Sequence, residues 1–288
     1  MKGIRNLVMA MGVLIIITAA PMLAHSMGLN IYERGCIVPY AMYSDGEDTT
    51  VGLVVWLNNG SVYWNYISAD GLNLASGSIP MQANIWNYAF SLKTMDANAH
   101  PNTLGYLIFT WDNDGTLATD ENDENVYGNA VLLSTDTDDA AFLPAVPLKR
   151  SDYADTDLDL SNLNGASLEN LSYGHLSTAA IGTDTRYWID PALGATTSVV
   201  IWTCQVAPAH FDATISNVTG DPFAVVTMTP AHTHLNVFDV ATGVAGIPAG
   251  FLEGSITVSP SGSDRLMYSI IGSSAFSAKQ TLLGADGP

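Results

Sequence analysis

Residues 36–67, CIVPYAMYSDGEDTTVGLVVWLNNGSVYWNYI, restrict the fold more than any other stretch of the chain. Three runs rich in Val, Ile and aromatic residues, Cys36–Tyr43, Val51–Asn58 and Ser61–Ile67, are too short for helices and are separated by turn signals. The first separator holds Asp45-Gly46. The second, Asn58-Asn59-Gly60, holds the Asn-Gly pair that favours a tight hairpin, because both residues tolerate positive φ. Val62, Trp64 and Tyr66 alternate onto one face of the third run, with Tyr63 and Ile67 on the other. The stretch predicts an opening antiparallel meander, and with it an all-β protein.

Similar signals recur downstream. Ile85–Leu92, Gly105–Trp111, Val126–Leu133 and Ala140–Leu148 read as strands, while Leu72–Asn84 is a mixed stretch broken at Pro80. In the second half Arg186–Ile189, Ser198–Val206, Phe223–Thr229, Leu235–Val240, Phe251–Ser259 and Arg265–Gly272 read likewise, punctuated by Gly and Pro. This spacing predicts an antiparallel β-sandwich with long loops and little helix.

The start of the chain places the protein. Lys2 and Arg5 precede an apolar run, Leu7–Leu23, broken by Pro21 and followed by small residues near Ala24 and Ser26. That order of basic, apolar and small residues is a secretory signal over 1–24, with an uncleaved anchor helix as the alternative. The expectation is an extracellular, cell-surface or periplasmic protein, residues 25–288 forming a single large β-sandwich domain without a transmembrane segment. In an oxidising compartment the two cysteines, Cys36 and Cys204, read as one disulfide.

Charge narrows the partners. The chain has 28 acids and 9 bases, and loss of Lys2 and Arg5 takes the formal net charge from −19 to −21. Nucleic acid is excluded, since its recognition needs clustered Lys and Arg. An anionic membrane surface is disfavoured for the same reason. Charged residues are still only 13% of the chain, against 48% hydrophobic, which suits a β-protein with uncharged polar faces rather than disorder. The acids gather in a loop region, 112–159, which holds 13 of the 28.

A leucine-bearing insert, 157–176, places Leu158, Leu163, Leu168 and Tyr173 five residues apart. It resembles the pentapeptide-repeat pattern over about one coil. The reading adopted is a loop or short helix packed on the sandwich, since one solenoid coil cannot bury its own face. CIVPYAMY, TTVGLVVWLNN, YGNAVLL and TRYWIDPALGATTSVVIW together resemble secreted bacterial β-sandwich proteins of uncharacterised function with a V-P-Y first strand. The resemblance spans roughly residues 36–205. It implies an exported β-sandwich and carries no catalytic residues.

Two constellations could hold metal. Aligned on a helix-loop-helix calcium loop that begins at Thr110, Asp112 and Asp114 take the third and fifth ligand positions. Gly115 takes the tight turn, the Thr116 carbonyl the seventh position and Glu121 the twelfth. The alternative is an acidic hairpin loop without an ion. His232 and His234, two apart in PAHTHLNVF, would share a strand face as zinc or copper sites require, with His175 or His210 within reach as a third ligand. Cleavage after Ala24 would leave His25 as an N-terminal copper chelate, an arrangement resembling the histidine brace of copper monooxygenases and copper carriers. No Gly-x-Ser-x-Gly elbow occurs, and the six tryptophans fit core packing as well as a sugar-stacking platform.

These features support a non-catalytic exported structural or adhesive protein, calcium-stabilised, with self-assembly or a surface glycan or protein as its partner. The competing class is a secreted copper or zinc protein using His25 or His232 and His234.

Overall fold

The computed structural model describes residues 35–57, 60–81, 84–96, 99–112, 125–134, 139–148, 159–167, 184–243, 251–259, 265–276 and 278–283. Its strands are β1 (Gly35–Ala41), β2 (Glu47–Leu57), β3 (Gly60–Ser68), β4 (Asn73–Met81), β5 (Asn84–Ser91), β6 (Gly105–Asp112), β7 (Asn125–Ser134), β8 (Asp139–Leu143) and β9 (Val146–Leu148). After them come β10 (Asp184–Trp188), β11 (Ala195–Thr203), β12 (Phe211–Asn217), β13 (Pro222–Met228), β14 (Leu235–Asp239), β15 (Glu253–Val258), β16 (Arg265–Ser273) and β17 (Ala278–Leu283). They pair into four antiparallel sheets: sheet I in the order β4-β3-β6-β1-β9, sheet II β5-β2-β7-β8, sheet III β14-β11-β16-β17 and sheet IV β10-β15-β12-β13.

Sheet I packs against sheet II and against sheet III, sheet III packs on sheet IV, and β17 of sheet III also runs beside β8 at the edge of sheet II. Between II and I, Phe90 meets Trp64 and Phe109 edge-on, with centroids 5.3 and 5.1 Å apart. Between I and III, Tyr106 meets Trp202 at 5.8 Å. Between III and IV, Phe211 packs on Phe238 at 6.2 Å, and the Thr185 hydroxyl donates to Ser269 Oγ at 3.0 Å. Strand β11 shows why the stack is continuous. Val200 and Trp202 join the core shared with sheets I and II, while Val199 and Ile201 face the core shared with sheet IV. A strand buried on both faces needs apolar residues at successive positions, which SVVIWT supplies.

The opening stretch supplies β1, β2 and β3, but they do not form a meander. Strand β1 pairs with β6 and β9, β2 with β5 and β7, and β3 with β4 and β6. Of the first predicted hairpin only a single bridge forms, Tyr43 to Asp48. Alternation reports burial on a face and is blind to whether the next strand lies beside its predecessor or in the facing sheet. Pro39 sits inside the central strand β1, where the register with β6 slips between Val38 and Ala41. A bulge is where a residue without an N–H is tolerated in a sheet. Three strands escape the sequence pattern: β4, whose Ser and Gly residues hide its alternation, β12 and β17.

The described part of the leucine insert is a 3₁₀ turn, Leu160–Asn162, laid over β3 and β4 with Leu160 and Leu163 in the main core. Asn65, fully buried on β3, fixes it there. Its Nδ2 donates to the Leu160 carbonyl at 2.9 Å, and its Oδ1 accepts from the Leu163 N–H at 2.9 Å and from Asn73 Nδ2 at 3.0 Å. A buried amide with its oxygen and nitrogen both engaged avoids the cost of desolvation and selects one docking position.

The expected disulfide is not formed: Cys36 and Cys204 are both buried and are not bonded to each other. Cys36 stands opposite Phe109 in the register and shares its face toward sheet II, where its sulfur meets the backbone of Gly128. A Cβ at Gly128 would approach that sulfur to 2.5 Å. Cys204 follows β11 on the other side of sheet I, near Tyr106. The central sheet stands between the two sulfurs. Burial pushes the Cys36 thiol up to about 12, so its reactive thiolate is suppressed at neutral pH. Native protein should therefore resist alkylation and show two reactive thiols in denaturant without any reductant. Mass spectrometry that finds the unreduced, unfolded chain unalkylated would contradict this placement.

Candidate functional site

The predicted calcium loop starts on a strand, as the run Gly105–Trp111 implied. Thr110, its first position, is buried in β6 opposite Gly35 and Tyr63, and Asp112 closes the same strand opposite Ser61. The helix that such a loop needs on its N-terminal side is replaced by a ladder strand. Asp114, Thr116 and Glu121 lie outside the described residues, as do the signal segment, His25 and His175.

The histidine pair is described in full, and its members do different things. His234 is buried, and its Nδ1 donates to the Thr203 carbonyl at 3.2 Å. Its ring lies across two glycines, where a Cβ on Gly165 would come within 2.5 Å of Nε2 and one on Gly71 within 3.0 Å. The glycines are themselves tied, Gly165 N–H to Gly71 carbonyl, at 2.8 Å. Gly71 also has φ +85°, so the β3–β4 turn requires glycine there for its backbone as well as for the ring. His232 is half-exposed and directs Nδ1 to Asp70 Oδ2 at 3.1 Å. Asp70 Oδ1 accepts the Thr233 N–H at 3.3 Å, and the Ala69 carbonyl accepts from His234 N–H at 2.9 Å.

The pair thus forms a joint. The β3–β4 turn, the 159–167 segment and the chain entering β14 meet around His234. Among the described residues no group of three or more His, Cys, Asp or Glu side chains is arranged to hold a metal ion. His210 lies apart, 3.8 Å from Asp212 on an exposed surface.

A second polar cluster had no signal in the sequence beyond a histidine in a loop. Asp96, its side chain fully enclosed, accepts from the Tyr43 hydroxyl at 2.8 Å, from the His100 N–H at 2.8 Å and from His100 Nδ1 at 3.1 Å. The loop closes through two left-handed residues, Ala99 and Asn102, and the Asn102 N–H returns to the Tyr43 carbonyl at 2.7 Å. Burial alone would push the Asp96 pKa up, but the bonds from the His100 backbone, the Tyr43 hydroxyl and the His100 ring outweigh it and hold the carboxyl low. Tyr43 moves the other way, to about 12, through burial and its bond to Asp96. The His100 ring is oriented by the carboxylate and partly open to solvent. The arrangement pins a loop.

The third feature is a surface. Strands β5 (NIWNYAFS) and β13 (PFAVVTM) end their sheets, and neither contains a charged residue. Single domains guard such edges with Lys, Pro, bulges or covering segments, because unpaired N–H and C=O groups recruit other strands. On β13, Val225 is 74% exposed.

Compared with known proteins, the chain matches no family model, and no curated protein matches it with significance.

Asp96 provides the test of the polar clusters. A carboxyl whose pKa falls on folding stabilises the fold above its ordinary value near 4, and that stability is lost as pH falls through the folded value. Asp96→Asn should cost about 1–3 kcal/mol at pH 7 in urea melts. The gap to the parent protein should shrink as pH drops below about 4. A gap that does not change with pH would remove the carboxylate from this account.

Proposed function

We propose that the protein is an exported, non-catalytic structural or adhesive protein of the cell surface or extracellular space, which makes its contacts through open sheet edges. The observation that carries the reading is that four of the terminal strands, β4, β5, β9 and β13, contain no charged residue in a chain whose formal charge is −19. Acids placed elsewhere keep such a protein soluble, while neutral edges leave main-chain groups available to a partner strand. The basic, apolar and small-residue order of residues 1–24 supports export, and the resemblance to secreted bacterial β-sandwich proteins supports the same compartment. Calcium belongs to this reading as the ion that the acidic run 112–121 would take at an extracellular surface.

The surroundings of the two histidines favour this over a metalloprotein: the His234 ring is buried with Nε2 against Gly71 and Gly165, while the His232 ring lies half-exposed beside Asp70.

Expression of the full chain in a bacterium with an intact export pathway tests the proposal. The expected result is a mature chain beginning at His25 or Met27 in the exported or surface-exposed fraction, free of stoichiometric copper or zinc. Retention inside the cell with Met1 intact, or a tightly bound transition metal, would overturn it.

A further inference from the structure

We propose that the peptide Asn164–Gly165 is a site of spontaneous deamidation that the joint around His234 holds unreacted, and that its conversion to isoaspartate undoes the docking of segment 159–167. Each glycine under the His234 ring follows a residue whose side-chain carbonyl its own amide nitrogen can attack: Asp70 precedes Gly71, and Asn164 precedes Gly165. The ring requires glycine at both, since a Cβ on Gly165 would lie 2.5 Å from Nε2 and 3.0 Å from the Gly71 Cα. The missing Cβ also leaves the glycine nitrogen open and its backbone free to rotate toward the preceding side chain. Asn, which carries an amide leaving group, is the more labile of the two. Close packing thus puts a reactive peptide at the joint.

The reaction is a ring closure. The Gly165 nitrogen attacks Asn164 Cγ, its proton leaves with the departing ammonia, and a succinimide forms. Water then opens either ring carbonyl, giving Asp or isoaspartate. In isoaspartate the main chain runs through the former side chain and is longer by one methylene. Water is the sole reagent consumed.

The contacts around Asn164 oppose that closure. Gly165 N–H donates to the Gly71 carbonyl at 2.8 Å, which retains the proton the nitrogen must lose and fixes the plane of the peptide. Asn164 Oδ1 accepts from Ser167 N–H at 3.1 Å, so the side-chain carbonyl caps the turn that starts at Gly165. On the other side Leu163 is held through both backbone groups, its N–H by Asn65 Oδ1 at 2.9 Å and its carbonyl by Asn73 Nδ2 at 2.6 Å. The Asn164 side chain itself is exposed, and water reaches it freely. The guard is therefore a fixed backbone and not burial. Once isoaspartate forms, the extra methylene has to displace Leu163 from Asn65 or Gly165 from Gly71, because the two glycines and the ring are already in contact.

Peptide mapping by mass spectrometry at mildly alkaline pH reads the amide-to-acid mass gain and separates isoaspartate from Asp. Asn164 should convert in the full chain unfolded in guanidinium and react at least about tenfold more slowly in the folded chain. Asn73→Ala, which frees the Leu163 carbonyl, should raise the folded rate several-fold. Folded protein isolated with isoaspartate at position 164 should lose hydrogen-exchange protection across 159–167. Asn164→Asp keeps the normal linkage and an acceptor for Ser167, so it should retain both that protection and the parental melting temperature. Equal rates in the folded and unfolded chains, or a parental rate in folded Asn73→Ala, would overturn the guard. Parental protection in the isoaspartate form would overturn the undocking. The comparison of folded and unfolded rates uses the unaltered sequence, so it decides the matter even where Asn73→Ala does not fold.

Discussion

Burial of sheets I and III on both faces is the constraint that everything else in this protein answers to. Tyr106 and Trp202 are each enclosed at the contact between them, and Tyr268 and Leu266 from β16 join the same core. Aromatic side chains of this size bury about 150–250 Å² each, worth roughly 4–6 kcal/mol apiece by area before entropy is subtracted. Against that, Tyr106 Oη, Trp202 Nε1 and Tyr268 Oη have no hydrogen-bond partner among the described residues, at about 1–3 kcal/mol each. Apolar packing outweighs the polar cost, and it makes the four sheets one stack rather than two independent sandwiches.

Given that stack, polar groups inside it can only serve as joints. Asn65 fixes the segment 159–167 to sheet I, His234 brings that segment and the β3–β4 turn against the start of β14, and Asp96 closes the loop beside Tyr43. Asn65 bonds two backbone groups and Asn73, His234 bonds the Thr203 carbonyl, and Asp96 bonds Tyr43 and His100, so each selects a position more than it adds affinity. The ionic contact between Lys279 on β17 and Glu47 on β2 links sheet III to sheet II at a partly exposed site, where a salt bridge contributes little. The outer backbone groups of the terminal strands, β5 and β13 among them, are left to the rim.

Strand identity was legible because Val, Ile and aromatic residues in β2, β6, β11 and β16 have no other short-range reading. Partnership was not. The turn residues Asp45-Gly46 suggested a hairpin, yet β1 and β2 lie in facing sheets, because the pleat records which side is buried and nothing about the neighbour. The same blindness produced the expected disulfide: two buried cysteines, one on β1 and one just after β11, satisfy the count, and only the intervening sheet I shows that they do not meet. His232 and His234 are separated as expected for one strand face, but they lie just before β14, where the chain is irregular and alternation does not hold. Asn65 was visible as a polar residue in an apolar strand. Its purpose emerged only with Leu160 and Leu163, almost a hundred positions away.

Cooperativity tests the continuous stack most directly. Differential scanning calorimetry of the purified chain should show one transition whose calorimetric and van't Hoff enthalpies agree, because sheet III cannot lose sheet IV without exposing residues that support sheet I. Intrinsic tryptophan fluorescence, dominated by residues such as Trp64 and Trp202, should melt at the same temperature as the far-ultraviolet signal of the strands. Two resolved transitions, with the second half of the chain unfolding separately from the first, would contradict the account.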